Sequence, residues 1–170
     1  MIRCARVEDS RAIAEVHVAS WQSTYAGQIP DEYLAELCIP ARETAWRASF
    51  SNETHRIFLC EEGGVVKGFV SFGPSRDNDA IANTGEVYAI YLLAEYQGRG
   101  VGRALWQGAI EALKKHGSTD VTVWVLDTNS AARKFYEARG CSLDGASKNS
   151  VIGGNDVVEL RYRAAVKTEA

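Results

Sequence analysis

Between Asp9 and Tyr25, the residues Ile13, Val16, His17 and Trp21 recur at the spacing of one helix face, which predicts an amphipathic helix. Before it, Ile2 to Arg6 reads as a short strand. "QIPDEYLAEL" predicts a turn into a short helix with Asp31 and Glu32 in its first turn, and a second helical piece follows Pro40 to about Ser49. "RIFLCEEGGVVKGFVSFG" reads as a hairpin, because Gly63-Gly64 supplies the positive φ angles of a tight turn between two apolar runs. After the polar loop "PSRDNDAIANTG" comes "EVYAIYLL", a strand rich in β-branched and aromatic residues.

From Val101 to His116 a polar stripe of Arg103, Gln107, Glu111 and Lys114 opposes an apolar one containing Leu105, Trp106, Ala109 and Leu113, so a helix is expected, stopped by Gly117. "VTVWVL" reads as a buried strand, and Asn129 to Arg139 as a helix ended by Gly140. Two antiparallel strands close the chain, near Ser142–Ser147 and Val157–Arg163. Strand, helix, strand in the middle implies a parallel pair with a crossover, and the hairpins on either side imply a mixed sheet. The class is α/β or α+β in three layers.

Composition narrows the setting. The 170 residues suit a single domain, expected to span 1–170. With 46% hydrophobic and 24% charged residues and a net charge of −3, the chain is ordinary for a soluble globular protein. Nothing suggests a basic nucleic-acid surface, and no apolar run approaches a membrane span. Cys4, Cys38, Cys60 and Cys141 are far apart, with no C-x-x-C, so neither a zinc site nor a disulfide framework is expected. Without an apolar leader core in "MIRCARVEDS", reduced thiols in a cytoplasm are expected. His17, His55 and His116 show no metal-ligand spacing.

The chemistry gathers in "AEYQGRGVGRALW", where a strand gives way to a helix and Gly98, Gly100 and Gly102 alternate with larger residues. A dinucleotide-binding loop wants a small residue where Arg103 stands and an early βαβ unit that is absent. The mononucleotide string G-x-x-x-x-G-K-[ST] does not occur. A turn without a ligand would carry the entropic cost of three glycines for nothing. A pyrophosphate cradle fits: the unpaired backbone N–H groups that open a helix, together with its dipole, bind anions, and Arg99 and Arg103 add charge.

The strand "VYAIYLL" followed by Gln97-Gly98-Arg99-Gly100-Val101-Gly102 resembles the Q/R-x-x-G-x-G/A motif of the GNAT N-acetyltransferase superfamily. "NSAARKFYEARGC" resembles that family's next helix, with Asn129, Ala132, Phe135, Tyr136 and Gly140 in place. Two departures are visible: Cys141 stands where an aromatic or aliphatic residue is usual, and Ala94 where a proline is common. The resemblance implies a mixed, mostly antiparallel sheet of about seven strands with a splayed parallel pair and helices on both faces. It also implies acetyl-coenzyme A.

By resemblance, backbone N–H groups from Gln97 to Arg103 hold the pyrophosphate. The preceding strand carries a bulge, and its free groups around Ile90, Tyr91 and Leu92 pair with the pantetheine arm, the N–H of Leu92 polarising the thioester carbonyl. Tyr136 is the general acid for the departing thiolate, its phenol protonated at neutral pH, and otherwise a packing residue of its helix. Asn129 fits both an N-cap and a pantetheine contact. Glu86 is the candidate base, and otherwise an exposed charge or a binder of the acceptor ammonium. By alternation its strand face is Glu86, Tyr88, Ile90 and Leu92.

The acceptor groove is expected between the first helices and the loop "GPSRDNDA". Trp21, Tyr25, Tyr33 and Tyr88 are its candidate walls, His17 a lesser candidate, and Asp77 and Asp79 candidate attractors of a cation. Cys60 and Cys141 are considered for covalent acyl transfer, against the commoner role of buried thiols. The expected activity is acetylation of a small amine in a ternary complex. The alternatives are acetylation of a protein N-terminus or lysine, and a coenzyme A sensor without turnover. A homodimer is compatible with the resemblance, and no nucleic-acid or membrane partner is expected.

Overall fold

In the computed structural model, which describes residues 1–166, alternating apolar residues build one seven-stranded sheet in the order β1-β2-β3-β4-β5-β7-β6. The strands are β1 Ile2–Cys4, β2 Arg56–Glu62, β3 Val65–Pro74, β4 Thr84–Leu92, β5 Asp120–Leu126, β6 Ser142–Ile152 and β7 Asn155–Ala165. Every neighbouring pair is antiparallel except β4 with β5. The helices are α1 Ser10–Thr24, α2 Asp31–Ala35, α3 Ile39–Ser49, α4 Val101–Lys115 and α5 Ser130–Glu137. The expected class, the parallel pair and the order of elements are all present.

Two apolar layers sandwich the sheet. On one face Leu105, Trp106, Ala109 and Leu113 of α4 pack on Val70, Phe72, Val87 and Val123. On the other, Ile13 and Val16 of α1 pack on Leu59 and Phe69, with Trp46 of α3 alongside. The Gly63-Gly64 turn of the first hairpin has both glycines at positive φ, as read. The last hairpin is longer than its sequence pattern predicts. It turns at Gly153-Gly154, and β6 is exposed along most of its length, so no alternation of buried residues marks its extent.

β4 contains the feature on which the site depends. Ser71 pairs with Ala89 but Phe72 pairs with Val87, so Tyr88 is an extra residue in a β-bulge. Upstream, Val87 faces α4; downstream, Ile90 and Leu92 face it, while Tyr91 joins the α1 layer. The single face expected for Glu86, Tyr88, Ile90 and Leu92 is therefore wrong. The bulge resets the alternation, leaving Glu86 and Tyr88 on the α1–α3 side and Ile90 and Leu92 on the α4 side.

Candidate active site

Beyond the bulge, β4 and β5 part. Their parallel ladder runs only from Thr84–Asp120 to Val87–Val123. The N–H of Leu93 donates to the carbonyl of Lys67 on β3 at 2.9 Å. Outward and inward groups alternate in an antiparallel pair, so Leu93, Tyr91 and Ala89 bond to β3. The N–H groups of Ile90 and Leu92 then point away from β3, into the gap where β5 no longer pairs. A polar backbone edge is thus left open inside the sheet.

This gap opens into a cleft of about 640 Å³. One end is the glycine loop. Gly98 and Gly100 have φ of 71° and 80°, and a Cβ on either would meet nothing within 4 Å. Gly100 is the N-cap of α4 and no side chain caps that helix, so the N–H groups of its first turn are open to a ligand. Gly102 serves packing instead, because a Cβ there would lie 3.3 Å from both Leu92 and Phe135. Gln97, Gly98, Gly100, Gly102 and Arg103 border the cleft. Val101 does not, and Arg99 turns to lie over the Tyr96 ring at 5.3 Å.

α5 forms one wall. The Asn129 side chain accepts from the N–H of Ala132 at 3.1 Å, so its N-cap role is realised, and the residue also borders the cleft. Ala132, Phe135 and Tyr136 follow along the wall. Tyr136 is buried against Trp106 and Phe135, and its hydroxyl makes no hydrogen bond among the described residues. Burial pushes its phenol above the ordinary tyrosine range, so the proton stays on at any physiological pH.

Glu86, which also borders the cleft, is 1% exposed. It accepts from the backbone N–H of Arg76 at 2.8 Å and from the guanidinium at 2.6 Å and 3.3 Å. The guanidinium lies 4.0 Å over the Tyr88 ring, and the Tyr88 hydroxyl donates to the carbonyl of Pro74 at 2.7 Å. Burial, and then the charge of Glu86, push the Tyr88 phenol up to about 12. Glu86 is therefore neither a solvated strand end nor a free carboxylate. It is a clamped anion at the cleft wall.

Trp21 and Tyr25 meet edge to face at 5.0 Å and border the cleft, as helical spacing suggests. The other acceptor-side expectations need correction. Tyr33 packs under the last hairpin, where a Cβ on Gly153 would lie 2.7 Å from its own Cβ, and does not border the cleft. His17 stacks on Tyr91 at 5.0 Å and accepts from Trp46 at 3.0 Å, away from the cleft lining. Asp77 and Asp79 are ion-paired with the buried Arg161 and are not available to a cationic ligand. Cys141 sits in the core with its thiol pushed up to about 11 by burial, which disfavours nucleophilic use, and neither it nor Cys60 borders the cleft.

The reading of sequence missed Arg76, Trp124, Arg139, Lys148, Ile152 and Glu159, all of which border the cleft. They come from a loop, from the turn after α5 and from strands far along the chain. The one available signal was Arg76 itself, a cation in a loop already noted for Asp77 and Asp79. Among the described residues no cluster of three or more His, Cys, Asp or Glu is arranged to hold a metal ion.

A model described as the acetyltransferase (GNAT) family matches residues 15–141. The chain is 42% identical over 138 residues to an uncharacterised N-acetyltransferase, YuaI, of Bacillus subtilis, covering 81% of this chain and 77% of that one. It is 27% identical over 171 residues to a spermidine N(1)-acetyltransferase of Thermoplasma acidophilum, covering 96% and 98%. A crystal structure of the PaiA N-acetyltransferase of Thermoplasma acidophilum in complex with coenzyme A superposes with a TM-score of 0.72 at 25% identity, covering 94% of this chain and 96% of that one.

Proposed function

The chain belongs to the GNAT acetyltransferase family, and from that premise we propose how its cleft carries out acetyl-CoA-dependent acetylation of a small-molecule amine. The observation that carries the reading is the opened edge of β4, with the free N–H groups of Ile90 and Leu92 leading from the glycine cradle towards Glu86. The cradle fits a pyrophosphate, since the space beside Gly98 and Gly100 is empty and the first turn of α4 is uncapped. Acetyl-CoA, when bound, supplies the activated acyl thioester.

The residues divide the work. Gln97, Gly98, Gly100, Gly102 and Arg103 hold the anion through backbone N–H groups, with the Arg103 charge beside them. Asn129, Ala132 and Phe135 border the slot through which the pantetheine arm passes, and Ile90, Tyr91 and Leu92 form its other side. Leu92 stands nearer the cradle and Ile90 nearer Glu86. The Ile90 N–H is therefore the better placed of the two to polarise the acyl carbonyl, and the Leu92 N–H holds the arm. Tyr136, whose proton is retained, donates to the leaving sulfur. Glu86 orients the acceptor amine and takes its proton directly or through water. Trp21, Tyr25 and Tyr88 shape the acceptor side.

We further propose that the chain acts as one acyltransferase domain in the cytoplasm. No helix among the described residues is long and apolar enough to cross a membrane. The four thiols are unpaired, which fits a reducing compartment. A homodimer is the proposed assembly, and size-exclusion chromatography with light scattering tests it. The central test is a thiol-release assay with acetyl-CoA and pools of small amines. Acceptor-dependent release of free coenzyme A is expected; tight acetyl-CoA binding with no release from any pool would make the protein a sensor.

A further inference from the structure

Resting on the transferase reading above, we propose that the acceptor is an α-amino acid, its amine directed at Glu86 and its carboxylate held by the free edge of Arg76. The charges around the cleft are unequal. Arg76, Arg103, Arg139 and Lys148 border it, against only Glu86 and Glu159, in a chain whose net charge is −3. Arg103 stands beside the phosphate cradle. Arg76 and Lys148 stand on the acceptor side, where a donor's phosphates do not reach.

Both carboxylates are already engaged. Glu86 takes three hydrogen bonds from Arg76. Glu159 accepts from the Ser150 hydroxyl at 2.7 Å and lies 3.6 Å from Lys148. Glu86 serves one amine, and the further ammonium groups of a polyamine would find only Glu159, already paired with Lys148. Arg76 has capacity to spare: its Nε and Nη2 face Glu86, and its Nη1 has no partner among the described residues. The guanidinium is fixed by its place over Tyr88 and still 63% exposed along its side chain. A held guanidinium edge suits a carboxylate.

Spacing supports the same ligand. Arg76 and Glu86 touch at 2.6 Å, so the groups they recognise must be close neighbours in the ligand. In an α-amino acid, one carbon separates the amine from the carboxyl. Lys148, 4.2 Å over the Trp124 ring, is matched by Glu159, which leaves the Arg76 edge as the open cation on that side. Trp21, Tyr25 and Ile152 offer an apolar wall to an uncharged side chain.

The experiment compares L-methionine, L-leucine and L-phenylalanine with their α-amides, with phenethylamine and with spermidine, in the thiol-release assay. Binding of L-methionine and its amide to the coenzyme A-saturated protein is followed by calorimetry. The amino acids are expected to exceed their amides at least ~30-fold in kcat/KM, and the amide should show no measurable binding heat. In the Arg76→Gln variant, the ratio of acid to amide turnover should collapse towards one; as a ratio, it is independent of any general loss of activity. Spermidine, phenethylamine or the amides turning over as well as the amino acids would overturn the proposal and leave the transferase reading standing. No release from any acceptor would remove the transferase reading and this proposal with it.

Discussion

Arg161 on β7 reaches Asp77 in the loop before β4 at 3.0 Å, and that contact ties the far side of the sheet to the wall of the cleft. The Arg161 side chain is 6% exposed and also meets Asp144 at 2.8 Å. Asp77 in turn accepts from the indole N–H of Trp124 at 3.0 Å. The neighbour of Asp77 is Arg76, which clamps Glu86. Arg161→Met would take the cation from Asp77 and Asp144, whose side chains are 16% and 14% exposed, a loss of about 1–3 kcal/mol. A lower denaturant midpoint is expected, with a higher KM for the acceptor and little change in that for acetyl-CoA. Asp79→Asn should leave the midpoint nearly unmoved, since the Asp79 side chain is 64% exposed.

Tyr136→Phe removes a hydroxyl that makes no hydrogen bond within the described protein, so folding should be unaffected. If the phenol protonates the leaving sulfur, kcat should fall by about 100-fold or more with the KM for acetyl-CoA unchanged. Steady-state kinetics check this, and parental turnover would remove Tyr136 from the mechanism. Because burial raises its pKa, the parent enzyme should show no loss of activity from Tyr136 titration through pH 9.

His17 makes stability depend on pH. Burial, with a smaller contribution from Arg42, lowers its pKa to about 4, against an ordinary value of 6.5. Below 6.5 the unfolded chain gains a proton that the folded one refuses, so stability falls as pH drops from 6.5 towards 4, by up to ~3 kcal/mol. Above 6.5 the residue contributes no slope. Urea midpoints between pH 7.5 and 4.5 should show the fall, and His17→Phe should reduce it, leaving the share of His55, whose pKa burial also lowers.

Gly100→Ala places a methyl group where nothing lies within 4 Å and forces an L-residue to a φ of 80°. The backbone cost is roughly 1–2 kcal/mol. Gly117, at a φ of 85° after α4 and also in open space, carries the same strain far from the cradle. Both alanine variants should therefore lose similar stability, but only Gly100→Ala should raise the KM for acetyl-CoA, by about tenfold. An equal effect of the two on that KM would separate the cradle from cofactor binding.

Local signals made the cofactor half of the cleft legible. Gly98 and Gly100 announce positive φ, Asn129 announces a cap, and the stripe through Leu105 and Leu113 announces α4. The acceptor half was legible only in Glu86, Trp21, Tyr25 and Tyr88, because the rest is assembled by contacts distant in sequence. Arg161 meets Asp79 across 82 positions, and Trp124 meets Asp77 across 47. Tyr33 looked like a wall because aromatic residues cluster nearby, yet it is held under a hairpin whose length the exposed β6 did not reveal. Period-two alternation through β4 failed at Tyr88, where no glycine marked the bulge.

That bulge also means that the site exists because β4 is one residue too long for its partner. A chain lacking Tyr88 would keep Ser71 on Ala89 and Phe72 on Val87 in a regular ladder, and on that straighter β4 the donors of Ile90 and Leu92 would be taken up by β5. Such a protein would be the better sheet and an empty scaffold. Capacity to hold a second molecule is written here in the count of residues between Val87 and Ala89, ahead of the identity of any side chain.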